Sequence, residues 1–194
     1  MRLSLLTLPA GLFACGPAPV AMPDAGPLGC RDASKRPANL LENGAFECDN
    51  SPLEWKAVFG TFELVSGGRS GRAGQVTVNQ AGGRFAYSKE FAVDGGNKTF
   101  CFSAYLKGTA PFMRMRVLRI VSGGVQEVAF SEQVFSDFKK IPTLKVTNDN
   151  APKLQLVFEA QTNRSDGMNA TTGQTLLIDD VDVWESTANC SETR

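Results

Sequence analysis

The chain has 194 residues, which suits one domain with short appendages. Its 20 basic and 20 acidic residues cancel, so no overall field favours nucleic acid or an anionic membrane surface as a partner. It contains no histidine, which excludes serine–histidine and cysteine–histidine catalysis and histidine-ligated zinc. We therefore expect a protein that is not an enzyme and does not bind nucleic acid.

The first residues are typical of an export signal. Arg2 gives a short positive start, residues 3–8 form an apolar run, and small residues follow. The stretch LFAC, residues 12–15, resembles a bacterial lipobox, in which Cys15 is lipidated and becomes the new N-terminus. We expect a signal peptide over residues 1–14 and a protein anchored by lipid in the bacterial cell envelope, at the outer membrane. The alternative is a plain secretory signal, with Cys15 incidental.

The segment after Cys15 differs in composition from the rest of the chain. Residues 15–29 are rich in Pro, Ala and Gly, which predicts an extended tether, and residues 30–194 are expected to form one domain. An exported chain meets an oxidising compartment, so we expect two disulfides, with three connectivities open. The cysteines available for them are Cys30, Cys48, Cys101 and Cys190.

Short strand-like segments follow one another from Asn39 onward, separated by turns rich in Gly, Pro, Asn and Asp. Phe, Val, Thr and Tyr are enriched inside these segments, and no stretch sustains a helical period with caps at both ends. The pattern predicts an all-β fold, a two-sheet sandwich or jelly roll. The expected strands are 39–48, 61–66, 75–80, 84–93, 98–107, 112–121, 124–130, 143–148, 153–159 and 175–184.

The segment TLLIDDVDVWE, residues 175–185, raises a question about one acid. Simple alternation places Asp179 on the same side as Leu177, Val181 and Val183, toward the core. A buried carboxylate is costly unless a partner pairs with it or a metal coordinates it.

A candidate partner is Glu47, which follows Phe46 in the segment NLLENGAFECD. The first and last strands of a sandwich often lie side by side, which would bring Glu47 toward Asp179. Two such carboxylates repel unless they are protonated or bridged by a cation, and oxygen ligands without histidine or thiolate favour calcium. The segment SGGRSGRAG offers backbone carbonyls for the same ion. The alternative for Asp179 is a hydrogen-bonded structural acid without a metal.

The order of these motifs resembles a known family. NLLENGAFE, then Trp55, GGRSGRAGQVTV, KTFCFSAYLKG and LLIDDVDVWE are similar in order and spacing to the carbohydrate-binding modules of families 4, 9 and 22. These modules are galactose-binding-like jelly rolls, and the resemblance covers residues 39–185. It implies a two-sheet jelly-roll β-sandwich.

The resemblance also implies a structural calcium ion (Ca2+). Its ligands would be Glu47 and Asp179, with Gly71 or a neighbour offering a carbonyl. Because jelly rolls hold their termini close together, we further expect disulfides that join Cys30 to Cys190 and Cys48 to Cys101.

A sugar site on the concave sheet is implied as well. Alternation along the strands offers Tyr87, Tyr105, Arg114, Arg116 and Gln155 for it. A tyrosine ring with two guanidinium groups suits a sugar, especially one that bears carboxylates. The alternative is an ordinary solvated outer face.

The sequence therefore predicts a monomeric, non-catalytic lipoprotein that binds a polysaccharide or other glycan and contacts the membrane only through its lipid. The alternative is a jelly-roll lipoprotein with a structural or protein-binding role and no sugar site.

Overall fold

The structure is a computed structural model, and it describes residues 39–41, 44–47, 55–57, 61–69, 71–79, 84–93, 96–133, 135–161, 167, 169–187 and 190. The predictions for the signal peptide, the tether, Cys15, Cys30 and Cys48 lie outside the described residues.

Every regular element in these residues is a β-strand. Seven of the ten expected strands are reproduced to within two residues at each end. Two short strands, Trp55–Ala57 and Lys139–Lys140, were not expected. The strands are β1 Trp55–Ala57, β2 Thr61–Ser66, β3 Arg72–Thr77, β4 Arg84–Ala92, β5 Thr99–Gly108, β6 Met113–Val121, β7 Gly124–Gln133, β8 Lys139–Lys140, β9 Leu144–Thr147, β10 Lys153–Gln161 and β11 Thr175–Ser186.

The strands form two antiparallel sheets. The five-stranded sheet has the order β1-β4-β10-β6-β7, and the six-stranded sheet has the order β2-β3-β11-β5-β8, with β9 also paired to β5. Apart from the consecutive pairs β2-β3 and β6-β7, neighbouring strands in each sheet are not consecutive in the chain, as in a jelly roll rather than a meander. The prediction of an all-β, two-sheet sandwich is confirmed. Among the described residues, no helix is long and apolar enough to cross a membrane.

The core lies between the sheets and follows the period-two pattern of the strands. Phe100, Phe102, Ala104 and Leu106 of β5 face it, opposite alternate residues of β6 and β10. Each large apolar side chain buried in this way contributes about 1.5–3 kcal/mol of transfer free energy. The β6 and β10 residues that complete this layer are Met113, Met115, Val117, Leu154, Leu156 and Phe158.

Strand β11 does not alternate simply along its length. Ile178 is buried and Leu177 is only partly buried, so the inward positions at the start of the strand are the even-numbered ones. The pairing with β5 then shifts between Asp179 and Asp182, and Asp180 has a left-handed φ of 45°. Such a bulge adds one residue to a strand and exchanges its faces. Val181 beyond the bulge is therefore back in the core.

This bulge makes the predicted orientation of Asp179 wrong. Asp179 is directly opposite Tyr105 on β5, and directly opposed residues share one side of a sheet. Tyr105 alternates with the core residues Ala104 and Leu106, so it lies on the outer face of the six-stranded sheet. Asp179 lies on that outer face too, and it is nevertheless fully buried.

Residues 39–41 and 44–47 run beside β11, and these described parts of the expected strand 39–48 form no strand. The N–H of Leu40 donates to the carbonyl of Val183 at 2.7 Å, and the N–H of Val181 donates to the carbonyl of Gly44 at 2.9 Å. The side chain of Asn39 accepts from the N–H of Val183 at 2.9 Å. The expected proximity of the first segment to the last strand is confirmed.

The disulfide in the described residues joins Cys101 to Cys190, with Cα atoms 5.6 Å apart. The expected pairs Cys30–Cys190 and Cys48–Cys101 are therefore wrong. Cys101 is directly opposite Trp184 in the β5–β11 pairing, so the chain that leaves β11 remains close to it. The partner of Cys190 is decided by this sheet order, which the sequence does not reveal.

Candidate functional site

A glycine-rich loop, residues 67–69 and 71, connects β2 to β3. The N–H groups of Gly67 and Gly68 both donate to the carbonyl oxygen of Gly71, at 3.0 and 2.9 Å. Gly67 has a φ of 96°, a conformation that side-chain-bearing residues rarely adopt. The loop is therefore tightly folded, and its backbone approaches the outer face of the six-stranded sheet.

This loop covers the carboxylate of Asp179. The N–H of Arg69 donates to Oδ2 at 2.7 Å, and the N–H of Asp180 donates to Oδ1 at 2.7 Å. Gly68 packs so closely that a Cβ on it would lie 2.7 Å from Oδ2. Asp179 is thus buried by a loop laid over the sheet, not by the core between the sheets.

Glu47 approaches the same loop from the segment beside β11. The N–H of Arg72 donates to its carboxylate, at 3.2 Å from Oε1 and 3.3 Å from Oε2. Gly71 lies directly against this carboxylate, with no room for a side chain. The structure therefore brings Glu47, Gly71 and Asp179 together, as expected.

Arg69 ties the loop to two residues of the sheet besides Asp179. Its guanidinium lies 3.4 Å from the ring centroid of Tyr105, and its Nη1 donates to Oδ2 of Asp180 in a short ion pair. A guanidinium stacked on a tyrosine ring contributes about 0.5–2 kcal/mol. Tyr105 therefore serves as a support for the loop.

The environment of Asp179 favours its protonated form. Burial raises the pKa of Asp179 to about 6, the N–H groups of Arg69 and Asp180 oppose that rise, and the nearby carboxylates of Asp180 and Glu47 add to it. A carboxylate with this electrostatic environment gains from a cation placed beside it.

The donor set fits a hard cation only in part. Glu47 and Asp179 supply carboxylate oxygens, the chemistry that calcium prefers. The carbonyl of Gly71, however, already accepts two N–H groups inside the loop, so it is not an available ligand in this geometry. No group of three or more acidic or cysteine side chains with metal-site spacing occurs in the part of the chain that the structure describes.

The second candidate region is the outer face of the five-stranded sheet. Arg114 and Arg116 of β6 alternate with core residues. Gln155 of β10 is directly opposite Leu118, two residues after Arg116, so it lies on the same face of the sheet as the arginines. Val157 is directly opposite Arg116, and it forms with Leu118 a small apolar pair that is separate from the main core. The structure therefore brings three of the predicted sugar-site residues onto one face.

The two tyrosines do not join them. Tyr105 belongs to the six-stranded sheet, so its predicted place beside the arginines is wrong. Tyr87 of β4 is directly opposite Phe158 of β10. Val157 of β10, which is directly opposite Arg116, is directly opposite Ser88 on its other side. The period-two pattern assigns residues to faces within one strand, but it does not say which strands share a sheet.

The arginines lie in an arginine–glutamate network, composed of Arg114, Arg116, Glu127, Glu132 and Glu159. Glu159 is fully buried; it makes a short ion pair with Nε of Arg114 and a second contact with Nη1 of Arg116 at 3.5 Å. Arg116 also makes a short ion pair with Glu127, and Nη1 of Arg114 lies 3.5 Å from Glu132.

These three glutamates were not predicted as part of the site. The arginines alternate in MRMR, but Glu127 and Glu132 are five residues apart in GVQEVAFSEQ and share a face only because the β6–β7 pairing shifts between Val117 and Leu118. Opposite charges at facing positions of neighbouring strands attract, but that inference requires the strand order. Both arginines are therefore paired with glutamates of the chain, whereas the sequence was interpreted as offering their guanidinium groups to a sugar.

Comparison with solved structures places the fold among carbohydrate-binding modules. The CBM22-1 xylan-binding domain of Paenibacillus barcinonensis Xyn10C has a TM-score of 0.53 and 16% identity, over 72% of this chain and 90% of that one. A CBM4 structure has a TM-score of 0.52 and 19% identity, over 74% and 98%. TmCBM61, in complex with β-1,4-galactotriose, has a TM-score of 0.51 and 14% identity, over 76% and 99%. The chain has the carbohydrate-binding-module jelly roll.

Larger proteins also contain this fold. The chain spans 22% of the enzymatically active domain of bacteriophage CBA120 tailspike protein 4, at 12% identity and a TM-score of 0.54. No protein-family model matches the sequence, and no curated protein is similar to it in sequence.

Proposed function

We propose that this protein binds a glycan and does not itself catalyse a reaction. The observation that carries the proposal is the fold, because the similar carbohydrate-binding modules match over nearly their whole length. The absence of histidine from the sequence supports a non-catalytic role, since it removes the commonest general base.

The proposed binding surface is the outer face of the five-stranded sheet. Gln155 and Arg116 are partly buried and offer polar groups to a ligand there, whereas the neighbouring Leu118 and Val157 are buried, at 7% and 6% exposure. A sugar presents several hydroxyl groups, so a face with amide and guanidinium groups that can hydrogen-bond to them suits it. A glycan chain would lie across β10 and β6.

Affinity gels that contain xylan or β-1,4-galactan test this proposal on the full chain. Gln155→Ala should weaken retardation with little change in melting temperature, because Gln155 is only partly buried. Lys145→Ala, at an exposed position of the six-stranded sheet, should migrate like wild type. Tyr105→Ala should keep its glycan binding.

Equal retardation of Gln155→Ala and wild type would contradict the proposed surface. No retardation in any glycan gel would favour the alternative, a structural or protein-binding role.

We propose further that a calcium ion binds at Glu47 and Asp179. Support comes from two carboxylates at one loop, one of them fully buried with a raised pKa. The ion would neutralise the repulsion between these acids and hold the glycine-rich loop against the sheet. The other ligands would be backbone carbonyls or water, which calcium accepts readily.

The proposed location is the bacterial cell envelope, with Cys15 lipidated. The signal-like N-terminus supports this proposal, and so does the Cys101–Cys190 disulfide, because disulfides persist in oxidising compartments. Cys15→Ser should move the protein from the detergent phase to the aqueous phase in a partitioning assay. Recovery of wild type in the aqueous phase would contradict lipidation.

A further inference from the structure

We propose that the hairpin tip between β6 and β7, residues 120–126, inserts into the surface of the phospholipid bilayer that holds the lipid anchor. This inference rests on the proposed lipidation of Cys15, and it adds a second membrane contact to the one expected through the lipid. Two observations carry it: the hairpin tip exposes apolar side chains, and it lies at the end of the sandwich where the chain from Cys15 enters.

The apolar side chains of the hairpin tip lie on both sides of the β-ribbon. Val121 is 39% exposed and Val125 is 61% exposed, and with Leu40 they are the exposed large hydrophobic residues in the part of the chain that the structure describes. Val125 is directly opposite Ile120, and Val121 follows Ile120 along β6, so the two valines point to opposite sides. A flat protein surface would cover one side of such a ribbon, whereas lipid surrounds both.

The charges near the hairpin tip suit the headgroup layer of a bilayer. The tip itself contains no charged side chain. Arg119, the residue before it, is held back against the domain, because its Nε donates to the carbonyl of Thr147 at 2.9 Å. Lys153 is directly opposite Ile120, and its side chain is 53% exposed and only 3.8 Å from the exposed Glu90. A cation therefore lies at the base of the tip, where it can meet lipid phosphates.

Contacts between strands place the hairpin tip at the end of the sandwich where β11 ends. Arg119, at the base of the tip, bonds to Thr147, the last residue of β9, and Thr147 is directly opposite Thr99 of β5. Thr99 is in turn directly opposite Ser186, the last residue of β11. The tip and the C-terminal end of β11 therefore share one end of the sandwich. The exposed turn 171–174, which precedes β11, lies at the opposite end.

The first described residues lead to the same end as the hairpin tip. The N–H of Leu40 donates to the carbonyl of Val183, and the carbonyl of Gly44 accepts from the N–H of Val181, which is farther from the end of β11. This segment therefore runs antiparallel to β11, and its N-terminal residue is the one nearest to the C-terminal end of that strand. The chain from Cys15 enters the domain there.

The chain between the proposed anchor and the domain is short. It comprises the 24 residues 15–38, and a flexible chain of this length has a root-mean-square end-to-end distance of about 25–30 Å. The bilayer is therefore at a high effective concentration for the hairpin tip, and a weak contact is sufficient to hold it there. The strands then point toward the bilayer, and the outer face of the five-stranded sheet remains open to a glycan.

Hydrogen exchange on the full chain tests this inference, with vesicles of phosphatidylethanolamine and phosphatidylglycerol as the membrane. The amides of the hairpin tip should exchange at least about threefold more slowly in lipidated wild type on vesicles than in Cys15→Ser without vesicles. The amides of the turn 171–174 should exchange at the same rate in both samples, because this turn lies at the other end of the sandwich.

Two matched double variants distinguish the hairpin tip from the lipid anchor. Val121→Ser with Val125→Ser makes the tip polar, and it should lose the slow exchange on vesicles while detergent-phase partitioning and melting temperature remain those of wild type. Thr171→Ser with Thr172→Ser is the control, because it changes two exposed β-branched residues at the opposite end. This control should keep the slow exchange of the tip.

The possible failures point to different conclusions. If wild type is anchored to the vesicles but its hairpin tip exchanges as fast as in Cys15→Ser, or if the two double variants have the same effect, the tip does not contact the bilayer and lipidation stands. Slow exchange of the tip in Cys15→Ser that needs no vesicles and increases with protein concentration would assign the tip to a second copy of the chain, and would also overturn the inference. If wild type does not associate with the vesicles, the proposed lipidation fails and the inference fails with it.

Discussion

Asp179 and Tyr105 face each other across β11 and β5, and Arg69 is joined to both. The backbone N–H of Arg69 donates to Asp179, and its guanidinium stacks on the Tyr105 ring. The acid is buried because a loop covers it, so its burial depends on the loop remaining in place. The ionisation of Asp179 and the position of the loop should therefore be coupled.

The first prediction concerns the pH dependence of stability without calcium. The pKa of Asp179 is raised from 3.8 to about 6, so the folded state binds this proton more tightly than the unfolded state. The stabilisation is fully present below the unfolded value of 3.8 and is lost as pH rises through about 6. From about pH 5 to pH 7.5, the free energy of unfolding should fall by about 1–1.5 kcal/mol from this group.

Urea unfolding in the presence of a chelator measures this change. Asp179→Asn removes the titrating carboxyl group. The slope of its free energy of unfolding against pH should therefore be smaller, by about 1–1.5 kcal/mol over this pH interval. Asp137→Asn, an exposed acid between β7 and β8, should keep the wild-type slope. An unchanged slope in Asp179→Asn would show that the acid has an ordinary pKa.

The second prediction concerns calcium. An ion bound only by the folded state, at a hundredfold excess over its dissociation constant, contributes about 2.7 kcal/mol to stability. For a domain of this size, chelation should lower the melting temperature of wild type by roughly 5–10 °C. Asp179→Asn and Glu47→Gln should respond little to the chelator.

Asp137→Asn is the control for this experiment as well, and it should respond fully. Asp180→Asn is a poorer control, because Asp180 pairs with Arg69 of the loop. If wild type melts at the same temperature after its metal has been removed, the N–H groups of Arg69 and Asp180 are sufficient for Asp179, and the calcium proposal is wrong.

The third prediction compares two glycines. A Cβ at Gly68 would meet the carbonyl of Arg72 and lie 2.7 Å from Oδ2 of Asp179, so Gly68→Ala must displace the loop. We expect it to lower the free energy of unfolding by about 1–3 kcal/mol, as overpacking does. A Cβ at Gly123 would have no atom within 4 Å, and Gly123→Ala should change stability by less than about 0.5 kcal/mol. Chemical denaturation measures both, and equal effects would contradict the packing of Gly68 on Asp179.

Much of the fold was predictable because local signals agree with it. Period-two alternation in β5, β6 and β10 identified their core residues, and turn residues located most strand boundaries. The bulge at Asp179–Asp182 was not predictable from alternation, because a single inserted residue exchanges the faces on either side of it. This one irregularity led to the wrong orientation of Asp179.

The sequence predicted the part of the candidate site that forms where the first segment lies beside the last strand. It did not predict the part that depends on the order of the strands in the two sheets. Glu47 and Asp179 were expected to meet because first and last strands of sandwiches lie together. Tyr105 was placed with Arg114 and Arg116, yet β5 and β6 belong to different sheets. Strand order is a non-local property, set by packing of the whole chain.

The last prediction concerns the disulfide. The Cys101–Cys190 bridge closes a loop with a sequence separation of 89 residues. In the chain-entropy model, a loop of this length stabilises the folded state by about 4–5 kcal/mol, mainly by restricting the unfolded chain. Cys190→Ser should therefore lower the melting temperature by roughly 10 °C or more. Reduction of wild type should lower it to a similar value, whereas reduction of Cys190→Ser should have a much smaller effect. Peptide mapping without reductant should recover Cys101 linked to Cys190, and a Cys30–Cys190 or Cys48–Cys101 peptide would contradict the sheet order that brings the end of β11 beside β5.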